Sequence, residues 1–325
     1  MFENIVCHRG FHNPDLDLSR PIENSLSAYE TAWKYFDLCE CDITISKDGH
    51  LFLCHDDSYA RVAVNNEENL PLVSTPVYDL TSEQVLSLML LDGTKPTMLV
   101  EVLELAKKLS NFTQNGAAGS KKKLVIEIKN SRASSELMDN LYQFLSKRID
   151  LLDYIAVIMS FDLSLMSKLS DWRRDQHQRI LFQNIKFMLL TEAPEHYLEE
   201  NHTVCVDVSQ PQFFGSCSSL ILEHNLDGVY LEFQKEMTKS PLSIPEESIQ
   251  KGLENLCQQI SVGIWNYFDE QPDGLKTHEI FDKMGIQFLN SDLPDDEMIS
   301  LGLLGPRIEE NDCFDAFWLF CYYGR

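Results

Sequence analysis

The strongest constraint in this chain is a rhythm. Short β-rich runs recur at Asn4–His8, Leu38–Ile45, Leu124–Lys129, Tyr154–Ser160, Ile185–Leu190, Val204–Val208, Gly228–Leu231, Ser261–Trp265 and Ile286–Leu289, with amphipathic stretches between them. Strands that alternate with helices pair in parallel, because each crossover helix returns the chain to the same end of the sheet. Nine runs are one more than a closed (β/α)8 barrel needs. Val204–Val208 is the run to set aside, since Pro211 and Phe213-Phe214-Gly215 follow it without a clear helical pattern. The expected fold is therefore α/β, a TIM-type barrel. Pattern alone leaves an open doubly wound sheet as the alternative. A chain of 325 residues is about two average domains long, yet one barrel absorbs that length.

Between the second and third of these strands the rhythm breaks. Asn65-Asn66-Glu67-Glu68-Asn69 reads as a polar loop, Thr81 and Gln84 form a capping box opening Val85–Leu91, and a further helix covers Leu99–Leu109. Residues from approximately 56 to 120 are expected to form a small inserted subdomain over the barrel mouth, ending in the flexible connector Asn115–Ser120. Nearer the start, Asn24 is placed to cap a helix in which Leu26, Tyr29, Trp33 and Phe36 share one face. No internal repeat is visible, so the chain reads as a single unit over residues 1–325.

Composition narrows the function classes. The net charge of −24 repels phosphate backbones and anionic lipid, which argues against nucleic acid as a partner. Lys121-Lys122-Lys123 and Arg173-Arg174 are the notable basic clusters and read as solvated loop charge. Nine cysteines, an odd number scattered through apolar runs, fit buried free thiols. No secretory signal is legible in Met1-Phe2-Glu3-Asn4, so a cytoplasmic location is expected. The apolar run Ala316–Tyr323 is far short of the roughly 20 residues that cross a bilayer. The aromatic residues around it, from Phe314 to Tyr323, are expected to pack against the barrel. Nothing in the sequence speaks to an oligomeric state.

Ionisable residues gather at strand ends. Cys7-His8-Arg9-Gly10 closes the first strand, Glu40-Cys41-Asp42 lies on the second, His55-Asp56 follows a turn at Asp48-Gly49, and Glu127-Ile128-Lys129 closes the third. Side chains alternate on a strand, so Glu40 and Asp42 share one face and Glu127 and Lys129 share another. If both strands belong to one barrel, three carboxylates converge at its C-terminal rim and require a cation. Oxygen ligands suit Mg²⁺ or Ca²⁺. A zinc site of Cys7, Cys39, Cys41 and Cys54 is the rival, but alternation turns Cys39 and Cys41 away from the acids. His8 and His55 are candidates for acid–base work, since imidazole takes either protonation state near neutral pH. Arg9 offers a planar fork for phosphate oxygens and Lys129 a point charge. Glu23 is placed to orient Arg9 or to sit in the first helix's polar N-terminus.

Together, His8-Arg9-Gly10, Pro21-Ile22-Glu23-Asn24-Ser25, Glu40-Cys41-Asp42-Ile43, Ser46-Lys47-Asp48-Gly49, His55-Asp56 and Val125-Ile126-Glu127-Ile128-Lys129 resemble the glycerophosphodiester phosphodiesterase family in order and spacing. Weaker echoes continue in Lys95-Pro96-Thr97, Ser160-Phe161-Asp162, Gly263-Ile264-Trp265 and Asn290-Ser291-Asp292-Leu293-Pro294. The resemblance implies a TIM-type barrel with an inserted subdomain, a divalent cation, and hydrolysis of small-molecule glycerophosphodiesters to glycerol 3-phosphate and an alcohol. By matching position it implies metal ligands Glu40, Asp42 and Glu127, an acid–base pair His8 and His55, and substrate contacts from Arg9, Glu23 and Lys129. Trp265 matches a family aromatic on the glycerol side. The attacking oxygen would be water or the adjacent glycerol hydroxyl, the latter through a cyclic phosphate.

Two positions depart from the family pattern. Asn266-Tyr267-Phe268 stands where Thr, an apolar residue and Asn follow the tryptophan, and Asp57-Ser58-Tyr59-Ala60-Arg61-Val62-Ala63 replaces an Arg-Thr-Thr run. The same catalytic set fits two further readings: lysophospholipase D-like action on lysophospholipids, or a non-catalytic barrel that only binds phosphate or metal.

Overall fold

A computed structural model describes residues 4–292, apart from 13–15, 17–18, 67–69, 112–119, 130, 174–175, 198–202, 211, 235–236, 238–245 and 267–279. The strands are β1 (Ile5–Cys7), β2 (Leu38–Ile45), β3 (Leu51–Leu53), β4 (Lys123–Ile128), β5 (Ile155–Ser160), β6 (Lys186–Glu192), β7 (Val204–Cys205), β8 (Gly228–Glu232), β9 (Ser261–Trp265) and β10 (Phe288–Ser291), and the helices are α1 (Leu26–Ala32), α2 (Leu70–Val73), α3 (Ser82–Ser87), α4 (Leu99–Ser110), α5 (Ser134–Lys147), α6 (Leu163–Ser170), α7 (Gln176–Leu181), α8 (Phe213–Glu223) and α9 (Glu246–Gln259). Eight of them pair in parallel around a ring in the order β1, β10, β9, β8, β6, β5, β4, β2, and β2 returns to β1 to close it. The closed barrel replaces the open-sheet alternative. β3 is an antiparallel return on β2 through a turn in which Gly49 has a φ of +86°, and β7 touches only the end of β6.

The run at Val204 is thus outside the ring, as expected. The reason differs from the one the pattern suggested, because a helix does follow it: α8 (Phe213–Glu223) is the crossover from β6 to β8. Gly215 and four serine and cysteine positions dilute its apolar stripe, so its periodicity is faint.

Alternation separates two cores. Outward residues such as Cys7, Cys39, Cys41, Ile126, Leu189, Val229 and Ile264 join the helix layer, while Val6, Val125, Val157, Met159, Met188, Tyr230 and Phe288 fill the barrel interior. Tyr230 stacks on Phe288 and donates its hydroxyl to Asn290 Oδ1 at 3.2 Å. A Cβ at Gly263 would lie 2.6 Å from the Tyr230 ring, so only glycine leaves room for this plug. With the interior filled, space for a ligand is left at the mouth.

The first helix, α1 (Leu26–Ala32), is capped by Ser25, whose hydroxyl accepts from the Ala28 amide at 3.2 Å. Asn24 is not the cap, and Leu26 is exposed rather than on the buried face. The capping box of Thr81 and Gln84 is present and opens α3 (Ser82–Ser87), which ends before the expected Leu91. The helix expected at Leu99–Leu109 is α4 (Leu99–Ser110), and it packs against α1, β3 and β4 in the main helix layer. Its Leu99, Val102, Leu103 and Ala106 are fully buried there, at about 1.5–3 kcal/mol for each of the three larger side chains. Between β3 and α4 a separate apolar cluster forms, in which Tyr59, Val62, Val73, Val77, Val85, Leu88 and Leu90 pack with Ile22, Phe52 and Cys54.

Seven cysteines are described, all as free thiols; five are buried, while Cys205 is exposed. The basic clusters are not simply solvated: Lys122 pairs with Asp37 at 2.7 Å and Arg173 with Asp227 at 2.8 Å. Arg174, most of the connector at 115–120 and the aromatic C-terminal run lie outside the described residues. Among the described residues no helix is long and apolar enough to cross a membrane.

Candidate active site

The site grows out of two neighbouring strands. Inward positions on β2 carry Glu40 and Asp42, and the register sets Asp42 directly beside Glu127 on β4. One carboxylate oxygen from each of Glu40, Asp42 and Glu127 lies within 4.8 Å of the others, and all three residues are buried. Three negative charges at that spacing repel one another strongly. Burial, reinforced by Asp42 and Glu127, pushes the Glu40 carboxyl up to about 8. Asp42 is buried too, yet Lys129, Arg9, His55 and His8 hold it well below the usual carboxylate range.

Glu40 Oε1 and Asp42 Oδ1 are buried without a hydrogen-bond partner. Orphaned buried carboxylate oxygens are costly unless something coordinates them. A hard divalent cation fits this donor set, which contains only oxygen. Cysteine does not contribute: Cys7, Cys39 and Cys41 face the helix layer, and Cys54 belongs to the cluster between β3 and α4.

Cations and imidazoles surround the acids. Lys129 Nζ donates to Glu127 Oε1 at 2.8 Å and lies 3.4 Å from Asp42 Oδ1. Arg9 follows β1 with a φ of 54°, a conformation that costs roughly 1–2 kcal/mol for a residue with a Cβ. That bend lets its backbone amide donate to Glu40 Oε2 at 3.0 Å and sets Nε 3.3 Å from Asp42 Oδ2. Gly10 completes the turn at a φ of +78°, where a Cβ would meet Ala28 at 2.9 Å.

His8 is bonded through Nδ1 to Asp292, and its Nε2 is 3.8 Å from Glu40 Oε2. Enclosure by the mouth disfavours the charged ring, but Asp292 and Glu40 outweigh it and Arg9, and the imidazole is pushed up to about 9. His55 is bonded through Nδ1 to Asp56 Oδ1 at 2.8 Å. Burial, aided by Lys129 and Arg9, outweighs Asp42 and Asp56 and pushes His55 below its usual value.

Glu23 does touch Arg9, with Nη1 donating to Oε1 at 3.4 Å, but its main partner is Arg61. The Arg61 guanidinium donates to both Glu23 oxygens at 2.6 Å and through Nε to Asp56 Oδ2 at 2.8 Å. A continuous chain therefore runs from Glu23 through Arg61 and Asp56 to His55. Trp265, at the inward end of β9, donates Nε1 to the Thr191 carbonyl at 3.0 Å and meets Phe161 edge to face. It stands across the ring from β4, and its indole nitrogen is engaged away from the three acids.

Four contributors were not anticipated from the sequence. Asn24, in a left-handed conformation, donates Nδ2 to Asp42 Oδ2 at 2.9 Å and accepts from Tyr29 Oη at 2.7 Å, so it orients a carboxylate of the cluster instead of capping α1. Asp292 holds His8, and buried His12 lies 3.9 Å from the same carboxylate. Arg61 is the fourth. Asn24 and Asp292 lie in stretches that resemble the family, and Asp292 also has inward parity with Phe288 and Asn290 at the end of β10.

The family model described as the glycerophosphoryl diester phosphodiesterase family matches residues 8–222. Among curated proteins there is no match. Solved structures share the fold. A glycerophosphodiester phosphodiesterase from Parabacteroides distasonis is 17% identical with a TM-score of 0.58, over 92% of this chain and 96% of its own. The Thermotoga maritima enzyme of the same description is 20% identical at a TM-score of 0.54, over 91% and 97%. An Oleispira antarctica phosphodiesterase, in complex with its product sn-glycerol-3-phosphate, is 13% identical at 0.58, over 92% and 96%.

Proposed function

The chain belongs to the glycerophosphoryl diester phosphodiesterase family, and we propose that it hydrolyses glycerophosphodiesters to glycerol 3-phosphate and an alcohol with a divalent cation and the imidazoles His8 and His55. As a member it is a phosphoric diester hydrolase. The observation that carries the finer reading is the pair of buried oxygens without a hydrogen bond, Glu40 Oε1 and Asp42 Oδ1, within a three-carboxylate cluster flanked by Arg9 and Lys129. Glu40, Asp42 and Glu127 would hold Mg²⁺ or Ca²⁺. When bound there, the ion supplies charge neutralisation and polarises a phosphoryl oxygen.

The remaining chemistry belongs to the chain. A phosphodiester is anionic and repels an oxygen nucleophile, so Arg9 and Lys129 lower the barrier by meeting charge on the non-bridging oxygens. Each histidine donates Nδ1–H to a carboxylate, which fixes the tautomer and leaves Nε2 for proton transfer. His55, held neutral, is suited to take the proton of the attacking oxygen. His8, held protonated by Asp292, is suited to give one to the departing alkoxide, a poor leaving group without it. Glu23 acts on His55 through Arg61 and Asp56.

A second reading, lysophospholipase D-like action, draws support from Leu86, Met89 and Leu91, which expose large apolar side chains between β3 and α4. We read that stretch, within approximately 56–120, as a small subdomain at the mouth. The buried free thiols favour a reducing compartment such as the cytoplasm.

The test is a panel of glycerophosphodiesters and lysophospholipids with Mg²⁺, Ca²⁺ or excess chelator, following release of glycerol 3-phosphate. Turnover of the small diesters that stops on chelation is expected. Full activity in chelator overturns the cation, and preference for lysophosphatidylcholine over glycerophosphocholine transfers the assignment to the second reading.

A further inference from the structure

His12 lies in the loop after β1 and is 2% exposed, yet it takes no part in the chemistry assigned to His8 and His55. The loop holds it firmly. The Phe11 amide donates to the Ala28 carbonyl at 3.0 Å, the His12 amide to the Gly10 carbonyl at 3.1 Å, and Arg20 Nη1 to the His12 carbonyl at 3.2 Å. Within that frame the ring lies between two acceptors. Nδ1 is 3.3 Å from the Gly10 carbonyl oxygen, and Nε2 is 3.9 Å from Asp292 Oδ1, the same oxygen that meets His8 Nδ1. The two imidazoles stand edge to face with ring centroids 6.3 Å apart. Among the described residues, His8 is the one hydrogen-bond donor to Asp292.

We propose that His12 is a positioning residue for the acid: its ring is a donor-free wall against Asp292 and keeps that carboxylate undivided for His8. This inference rests on the phosphodiesterase reading above and on His8 as the proton donor within it. The tautomer follows from the partners. A carbonyl oxygen only accepts, so Nδ1 carries the hydrogen that goes to Gly10. Burial, aided by His8, outweighs Asp292 and Glu23 and pushes the imidazole below its usual value, which leaves the ring neutral and Nε2 bare. A bare nitrogen donates nothing to Asp292, and a separation of 3.9 Å is too short for a water to stand on the line between them. The Asp292 side chain is 26% exposed, so water reaches it elsewhere but not on this side. A water in the place of the His12 ring would donate to Oδ1 and compete there with His8 Nδ1–H. His8 would then be held less firmly, and a loosely held acid transfers its proton poorly to an alkoxide.

The test varies the leaving group. Choline leaves glycerophosphocholine as a basic alkoxide that needs a proton, whereas p-nitrophenolate leaves the p-nitrophenyl diester of glycerol phosphate without one. His12→Ala is expected to lower kcat about three- to tenfold on glycerophosphocholine and less than about twofold on the nitrophenyl diester, the size of one weakened hydrogen bond. His12→Leu, which refills the space and offers no donor, should restore most of that loss, whereas His12→Gln, which aims an amide N–H at Asp292, should not. In the Asp292→Asn background His12→Ala should cost nothing further, because the wall has no carboxylate left to guard. Turnover of the nitrophenyl diester reports whether each variant is folded. Equal losses on both diesters, a full effect in the Asp292→Asn background, or rescue by Gln and not by Leu overturns the role. His8→Ala checks the premise: it should lose far more on glycerophosphocholine than on the nitrophenyl diester. An equal loss takes the acid role from His8 and the wall with it, while the hydrolase reading stands. If wild type cleaves neither diester, the hydrolase reading itself fails and this inference with it.

Discussion

The two walls of the barrel mouth bury carboxylates in opposite ways. On β2, Glu40 and Asp42 each keep an oxygen without a hydrogen bond, the Asp42 one met only by the Lys129 ammonium at 3.4 Å, and sit beside Glu127; on β8, Glu232 is equally buried but has three donors on its two oxygens. Burial alone therefore says little about function. A satisfied buried carboxylate organises its neighbours, whereas a cluster with unbonded carboxylate oxygens has a donor set that a cation fits. The contrast extends to the cations: Arg9 and Lys129 lean on the first wall, while the donors on the second are a neutral amide, a backbone N–H and an imidazole.

The largest effects should come from the first wall. His55→Ala is expected to lower kcat by about 10²–10⁴-fold, the usual span of acid–base catalysis, while calorimetric affinity for Mg²⁺ or Ca²⁺ stays within a fewfold of wild type. Glu127→Gln should lower ion affinity and turnover together, by at least about tenfold. If His55→Ala instead abolishes ion binding, the imidazole belongs to the coordinating set and the division of labour between base and ligands is wrong.

Next in size is Asp292→Asn, which keeps the shape but weakens the grip on His8. Turnover should fall about tenfold or more, and the alkaline limb of the kcat profile should move to lower pH, because the carboxylate no longer favours the protonated ring. An unchanged profile would mean that Asp292 only braces the loop.

Stability offers a way to set the walls directly against each other. The Glu40 carboxyl is raised from its ordinary 4.5 to about 8 in the folded chain, so the folded state binds more protons than the unfolded one in that window. Stability of the protein in chelator should then fall as pH rises from about 4.5 to about 8. Glu40→Gln should flatten that slope and raise Tm in chelator at pH 8, whereas Glu232→Gln, which breaks a satisfied set, should lower Tm. Parallel changes in the two variants would erase the distinction between the walls.

Much of the first wall could be read in advance because it depends on local rules. Strand alternation alone puts Glu40 with Asp42 and Glu127 with Lys129, and turns Cys39 and Cys41 outward, provided the strands are identified. The same rhythm favours the barrel without excluding the open sheet, and it sets Val204–Val208 aside for want of a helix that the structure does supply in α8. What escaped depends on long-range contact or on diluted patterns. Asp292 reaches His8 across 284 positions of sequence, which no local period encodes. Asn24 looked like a cap because asparagine favours helix starts, but Ser25 takes that role and frees Asn24 to hold Asp42. Glycine, serine and cysteine blur the apolar face of α8, and α4 adjoins the insertion in sequence while its buried side chains belong to the barrel's helix layer.

The smallest effect tests a link that sequence pattern did not reveal. Arg61 spans Glu23 and Asp56 with three donors, and Asp56 in turn holds His55 Nδ1. A lysine there would keep the positive charge but not the planar fork, so it cannot engage both carboxylates in the same geometry. Arg61→Lys should therefore lower kcat a fewfold, by loosening His55, while leaving ion affinity and the KM for glycerophosphocholine unchanged, because neither wall's own ligands are touched. A raised KM would place Arg61 in contact with the substrate rather than behind the base. An unchanged kcat in the Arg61→Lys variant would mean that Asp56 orients the imidazole without help, and the chain from Glu23 would then be a brace for the segment between β3 and α4, whose backbone it ties to the start of α1.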